Sequence, residues 1–163
     1  MRDYNECRCY VEHLVADHRR LHRTLRLAQA AIVANGCPDR DANCTDIVRV
    51  LQQVREKLEH HFTQEESGGC LDEAVSRCPA LSAEAKRIEL EHPQLLQDVD
   101  RLIAQALDCD QSLENRLSLE RGFDNLCGQL DAHEAAEDAL LRKGFGANVN
   151  GNACSEEALI FDL

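Results

Sequence analysis

The stretch TDIVRVLQQVREKLEHHFTQEESGG, residues 45–69, decides the fold class. Ile47, Leu51, Val54 and Leu58 recur at spacings of three and four, which line one face of an α-helix and do not fit the alternation of a strand. Thr45 or Asp46 suits the N-terminal cap, and Gly68 and Gly69 stop the helix after Ser67. The apolar stripe does not end in apolar residues. His61 lies three positions after Leu58, and Glu65 four after His61, in the phase that faces the core.

Three more stretches of this kind fill the chain. Residues 4–35 carry Leu14, Leu21, Leu25 and Ala28 at helical spacing and stop at Gly36, Cys37 and Pro38. Ser82 suits the cap of a helix running to about Leu107, buried through Ile88, Leu95, Val99, Leu102 and Ala106. Pro93 falls in its middle and predicts a kink, because it lacks one backbone donor and crowds the carbonyl four residues back. Asp110 or Ser112 opens the last helix, with Leu119, Phe123, Leu126, Leu130, Leu140 and Leu141 as its stripe, and Gly144 supplies a stop after Lys143. LDEAVSR, residues 71–77, predicts a short bridging helix. The expected fold is all-α: an antiparallel, up-down four-helix bundle over residues 1–146, with a short extra helix between helices 2 and 3 and a C-terminal tail at 147–163. That tail, ANVNGNACSEEALIFDL, loses periodicity and then turns apolar.

Composition agrees. A chain of 163 residues fits one domain with a single core. Three prolines, no tryptophan and 4% aromatics favour helix over strand. With 30 acidic and 18 basic residues, the net charge of −12 repels a nucleic-acid backbone. MRDYNECRCY at the N-terminus lacks the apolar segment of a signal peptide, and no run is long enough to cross a bilayer; a cytoplasmic protein without membrane attachment is expected. The nine cysteines include no CxxC pair and read as reduced thiols, some buried as small hydrophobes. Cys7 and Cys9 alone make an incomplete metal or redox site.

The seven histidines divide by phase. His18 lies between Leu14 and Leu21, His61 after Leu58, His92 four after Ile88, and His133 three after Leu130, so each long helix points one imidazole inward. Two of these helices add a carboxylate one turn on, Glu65 after His61 and Glu137 after His133. The HxxxE spacing is close to chance in a chain this rich in glutamate; the shared inward phase carries the weight. Asp138 is a substitute for Glu137, because one residue turns a side chain by about 100°. His13 and His60 fall off the stripes and read as solvated, as does Glu66. His22, four after His18, reads as a surface residue or as an extra ligand or donor behind the site. Two carboxylates and four imidazoles inside an apolar bundle need each other, water or a metal. Iron suits mixed imidazole and carboxylate donors with open positions.

DHRRLHRTL at 17–25, HHFTQEESGG at 60–69, EHPQLL at 91–96 and HEAAEDALL at 133–141 resemble, in order and separation, the hemerythrin-like family of His-His-Glu cation-binding domains. The resemblance covers residues 10–146. It implies that His18, His61, Glu65, His92, His133 and either Glu137 or Asp138 ligate two non-haem iron ions in an Fe–O–Fe centre bridged by the carboxylates. Oxygen-carrying members have a second histidine four residues after the one in the third helix; here that residue is Leu96, which puts reversible oxygen carriage in doubt. Three functions follow as expectations. The first is binding or sensing of dioxygen, nitric oxide or peroxide. The second is an enzyme that decomposes peroxide, reduces nitric oxide or oxidises ferrous iron. The third is a metal-free structural or interaction bundle. No motif identifies a protein partner.

Overall fold

The computed structural model describes residues 2–34, 40–67, 69–108 and 112–146, with side chains from Leu14 in the first helix and from Thr45 in the second. The expectations for His13, for the Cys7–Cys9 pair and for the tail lie outside what is described. Every regular element among the described residues is helical: α1 (Arg2–Ala34), α2 (Arg40–Glu66), α3 (Cys70–Arg77), a 3-10 turn (Pro79–Leu81), α4 (Ser82–Glu89), α5 (His92–Leu107) and α6 (Leu113–Gly146). The long helices form a bundle in which α1 packs on α2, α2 on α5, α5 on α6, and α6 on α1. Among the described residues, no helix is long and apolar enough to cross a membrane.

The predicted stripes are the buried faces. Leu51, Val54 and Leu58 on α2 are fully enclosed, and Leu21, Leu25, Leu95, Val99, Phe123, Leu126 and Leu130 join them in one cluster. Each such side chain contributes about 1.5–3 kcal/mol through burial. Leu14, Leu71, Ala74, Leu81, Ile88, Leu140 and Leu141 form a second cluster. His61 and Glu65 on α2 follow Leu58 of the first cluster, and His133 and Glu137 on α6 lie in sequence between Leu130 of the first and Leu140 of the second.

Several boundaries differ from the sequence reading, each for a local reason. Thr45 and Asp46 lie inside α2, which starts at Arg40; no glycine or proline between 40 and 45 stops the helix from extending backward. Ser82 is the first helical residue of α4 and caps nothing with its side chain. The preceding 3-10 turn does that work through its backbone, with Ser82 N–H donating to the Pro79 carbonyl. Ser112 does cap α6: its Oγ accepts the Asn115 N–H at 3.1 Å.

At Pro93 the expected single helix is divided into two segments. α4 ends at Glu89, Leu90 and Glu91 form a turn, and Pro93 sits in the first turn of α5. A missing N–H costs nothing in a first turn, where it has no intrahelical acceptor. The interruption places Glu91 and His92 side by side at the head of α5.

Two glycines are demanded by close approach. A Cβ on Gly69 would lie 2.8 Å from the Gln64 carbonyl oxygen and 2.9 Å from Glu65 Cα, so glycine lets α3 start tight against the end of α2. Gly144, read as a helix stop, is instead a buried residue within α6, which continues to Gly146. A Cβ there would meet the Cβ of Ala74 on α3 at 2.5 Å.

Gly144→Ala is therefore expected to destabilise the chain by about 1–3 kcal/mol, as overpacking does, with Ala74→Gly restoring part of the loss. Gly128→Ala, on the exposed face of the same helix with nothing near its added methyl, should stabilise by about 0.5–1 kcal/mol. Urea denaturation of the three variants checks both signs; equal effects at the two glycines would contradict the packing of α3 on α6.

Candidate metal centre

The four inward histidines and two glutamates meet in the middle of the bundle. His18 comes from α1, His61 and Glu65 from α2, His92 from the head of α5, and His133 and Glu137 from α6; all six are buried. The rings form two edge-to-face pairs, His18 with His61 at 4.9 Å and His92 with His133 at 5.0 Å between centroids. Between the pairs lie the carboxylates, each turning one oxygen to each pair. Glu65 Oε1 is 3.2 Å from His61 Nε2, and its Oε2 is 3.4 Å from His92 Nε2. Glu137 Oε1 is 3.0 Å from His133 Nε2, and its Oε2 is 3.3 Å from His18 Nε2.

Two overlapping groups result, each able to hold a metal ion: His18, His61, Glu65 and Glu137, and Glu65, His92, His133 and Glu137. Donors about 2.1 Å from a shared cation stand roughly 3.0–3.4 Å from one another in octahedral to tetrahedral geometry, and the four nitrogen–oxygen separations fall in that span. All four Nε2 atoms and all four carboxylate oxygens are buried without a hydrogen-bond partner. Leaving that many buried polar atoms unmet costs about as much as the whole stability of a fold of this size, and the donor set fits a cation at its centre. Among the described residues no thiolate joins it. Cys70, buried at the start of α3, has its thiol pushed up to about 12 by burial and by the charges of Glu65 and Glu137, while Cys78 and Cys127 are free thiols elsewhere.

Glu137, fully enclosed, is the carboxylate brought into the centre; Asp138, half-buried one residue on, is not in either group. His60 is exposed, as expected. Leu96 is partly buried and packs against the apolar cluster, so each half of the centre has two imidazoles.

The outer edges of the imidazoles carry residues the sequence reading missed. His92 Nδ1 lies 2.8 Å from Glu66 Oε1, and His133 Nδ1 lies 2.9 Å from Glu91 Oε2. Glu66 is thus not only a solvated charge: its exposed carboxylate fixes a ring whose other nitrogen faces the centre. Glu134 Oε2 lies 2.9 Å from His22 Nε2 and 3.7 Å from His18 Nδ1, which puts His22 behind the centre and not within it. The signal was adjacency: Glu66 follows Glu65, Glu91 precedes His92 and Glu134 follows His133. Phe62 was also missed. Its ring stacks on His92 at 4.0 Å and meets His133 edge-on at 5.5 Å, an apolar wall that holds both rings in place.

Without a cation the six groups divide one another's protons. Burial, then the Glu137 charge, pushes Glu65 up to about 10. Burial opposes ionisation of Glu137 too, but His133 and His18 together outweigh it and hold the carboxyl well below its usual range. His18 and His133 are raised, because contact with Glu137 and the nearby carboxylates overcomes their burial. Burial lowers His61 to about 4 and also lowers His92, which Glu66 partly offsets. One carboxyl thus keeps its proton at neutral pH; a cation would displace it.

Compared with family models, curated proteins and solved structures, the chain has no match.

Because folded Glu65 binds its proton more tightly than the unfolded chain does, the metal-free protein loses stability as pH rises above 4.5 toward 10. Glu65→Gln should remove that slope, which amounts to at most about 1.4 kcal/mol per pH unit, and raise the melting temperature at pH 8. Glu137→Gln should do the reverse, removing stability present above pH 4.5 and lost as pH falls below it. Thermal melts of chelator-treated protein from pH 4 to 9 read both; parallel curves for the two variants would contradict the assignment of the shared proton.

Proposed function

We propose that this chain is a hemerythrin-like protein: an up-and-down antiparallel bundle over residues 1–146 that holds two non-haem iron ions and binds or senses dioxygen, nitric oxide or peroxide. The observation that carries the reading is the sharing of Glu65 and Glu137 between two histidine pairs, one carboxylate oxygen to each side. The order of core residues supports the alternating helix directions. Away from the centre, the first cluster runs from Leu21 to Ile32 in α1 and from Leu95 to Ala106 in α5, but from Leu58 back to Ile47 in α2 and from Leu130 back to Leu119 in α6.

In this reading His18 and His61 would hold one iron and His92 and His133 the other, with Glu65 and Glu137 each offering one oxygen to either side. Two imidazoles and two carboxylate oxygens leave each ion short of six donors. Bound iron supplies the redox chemistry and the open position for a small ligand. The chain supplies the rest. Phe62 and the flanking leucines keep bulk water out, and Glu66 and Glu91 set the orientation of two imidazoles. The nitrogen and oxygen donor set without thiolate favours iron over a zinc–thiolate site.

The test is anaerobic iron loading followed by dioxygen, peroxide and nitric oxide in turn. About two irons per folded chain are expected, with a single stoichiometric change in near-ultraviolet absorption for the ligand that binds. The iron should be lost when His61 and Glu65 are both changed to alanine. Continuous consumption of peroxide or nitric oxide would replace binding with catalysis, and a folded chain that takes up no iron would remove the proposal.

A further inference from the structure

We infer that the outer face of α1 around Arg19, Arg23 and Arg26 docks an acidic one-electron carrier protein, which delivers electrons to the metal centre. The inference rests on the centre proposed above and names the partner that reduces it. Its first support is charge. In a chain of net charge −12, residues 18–38 contain no acidic residue, and residues 19–26 hold four arginines. Arg19, Arg20, Arg23 and Arg26 are all exposed. Arg20 is paired with Asp17 at 2.7 Å. For Arg19, Arg23 and Arg26 there is no ion pair among the described residues.

The second support is position. His18 is the most exposed of the six central residues, at 9%, and its outer edge reaches the surface through Glu134 and the half-exposed His22. His22 lies within the arginine run itself. Two other connections from the centre to the surface among the described residues end in carboxylates, the exposed Glu66 beside His92 and the half-exposed Glu91 beside His133. An acidic carrier would be repelled at those two places and attracted at α1.

Net charge does not overrule this. At physiological salt the field of a charge fades over about 8 Å, so an approaching partner responds to the local patch once near contact. A basic face on an acidic body also orients the encounter. Interfaces of electron-carrier complexes are small and governed by such complementarity. Each encounter moves one electron: the carrier's reduced centre is oxidised, the metal centre is reduced, and no bond is made or broken. A nucleic acid or an anionic membrane, the other ligands of arginine runs, would bring extended negative charge against the whole acidic body.

The test uses the full chain with an acidic [2Fe–2S] ferredoxin as probe. In the metal-free protein, titration with the oxidised ferredoxin should shift backbone amide resonances along α1, and the variant Arg19→Glu/Arg23→Glu/Arg26→Glu should weaken binding about tenfold or more. In the iron-loaded, oxidised protein, reduction by the reduced ferredoxin should slow by a similar factor in that variant and with added salt, while reduction by dithionite is unchanged. Lys57→Glu/Arg87→Glu/Arg121→Glu makes the same change in net charge at scattered exposed positions and should leave both measurements near the parent values. The inference is overturned if the two variants behave alike, if the shifts fall outside α1, or if a basic carrier such as cytochrome c, or a short RNA, binds this face more tightly. Failure to hold iron would remove the proposed centre, whereas the metal-free titration still reads the docking face by itself.

Discussion

Four imidazole nitrogens and four carboxylate oxygens are directed at one another in the middle of an apolar bundle without a hydrogen bond among them. Most other features of the fold answer to that constraint. Each long helix must deliver one histidine at the same level, and the apolar stripes that bury the helices fix that level. The turn at Leu90–Glu91 starts α5 at His92, and Gly69 lets the chain leave α2 immediately beyond Glu65. The stripes supply the stability that the polar centre subtracts, since burying charge in a low-dielectric interior is unfavourable unless it is neutralised there.

The protonation pattern shows how the metal-free chain tolerates its own centre. Glu65 is neutralised by its proton and Glu137 by the neighbouring His18 and His133. Two cations would take over both functions and release the proton, so metal affinity is tied to pH and to folding. The carboxylates outside the centre act differently. Glu66 and Glu91 hold their histidines at hydrogen-bonding distance, while Glu134 stands further from His18 and is engaged by His22. The α5–α6 side of the centre is thereby held more firmly than the α1 side, where the bundle also presents its basic surface.

Much of this was legible in the sequence because helical phase is arithmetic. The stripes of α1, α2, α5 and α6 and the inward phase of His18, His61, His92 and His133 follow from spacings of three and four. Those spacings also favoured Glu137, though one residue of phase could not separate it from Asp138; its complete burial does. The rest depended on contacts between helices, which no single stripe encodes. Gly144 reads as a stop until Ala74 is known to lie against it. Glu66 reads as a solvated charge, and Glu91 and Glu134, one step from central residues, have no reading of their own until the partner ring is placed. Pro93 predicts a local disturbance, and the helix is divided there, at Leu90–Glu91. The hemerythrin-like resemblance rests on these same motifs.

X-ray absorption at the iron edge of the loaded protein tests the shared-carboxylate centre most directly. The expected spectrum shows nitrogen and oxygen neighbours only, with about two imidazoles per iron and a second iron at roughly 3.5 Å. A spectrum with a single isolated iron, or with sulfur among its nearest neighbours, would contradict a dimetal centre bridged by Glu65 and Glu137.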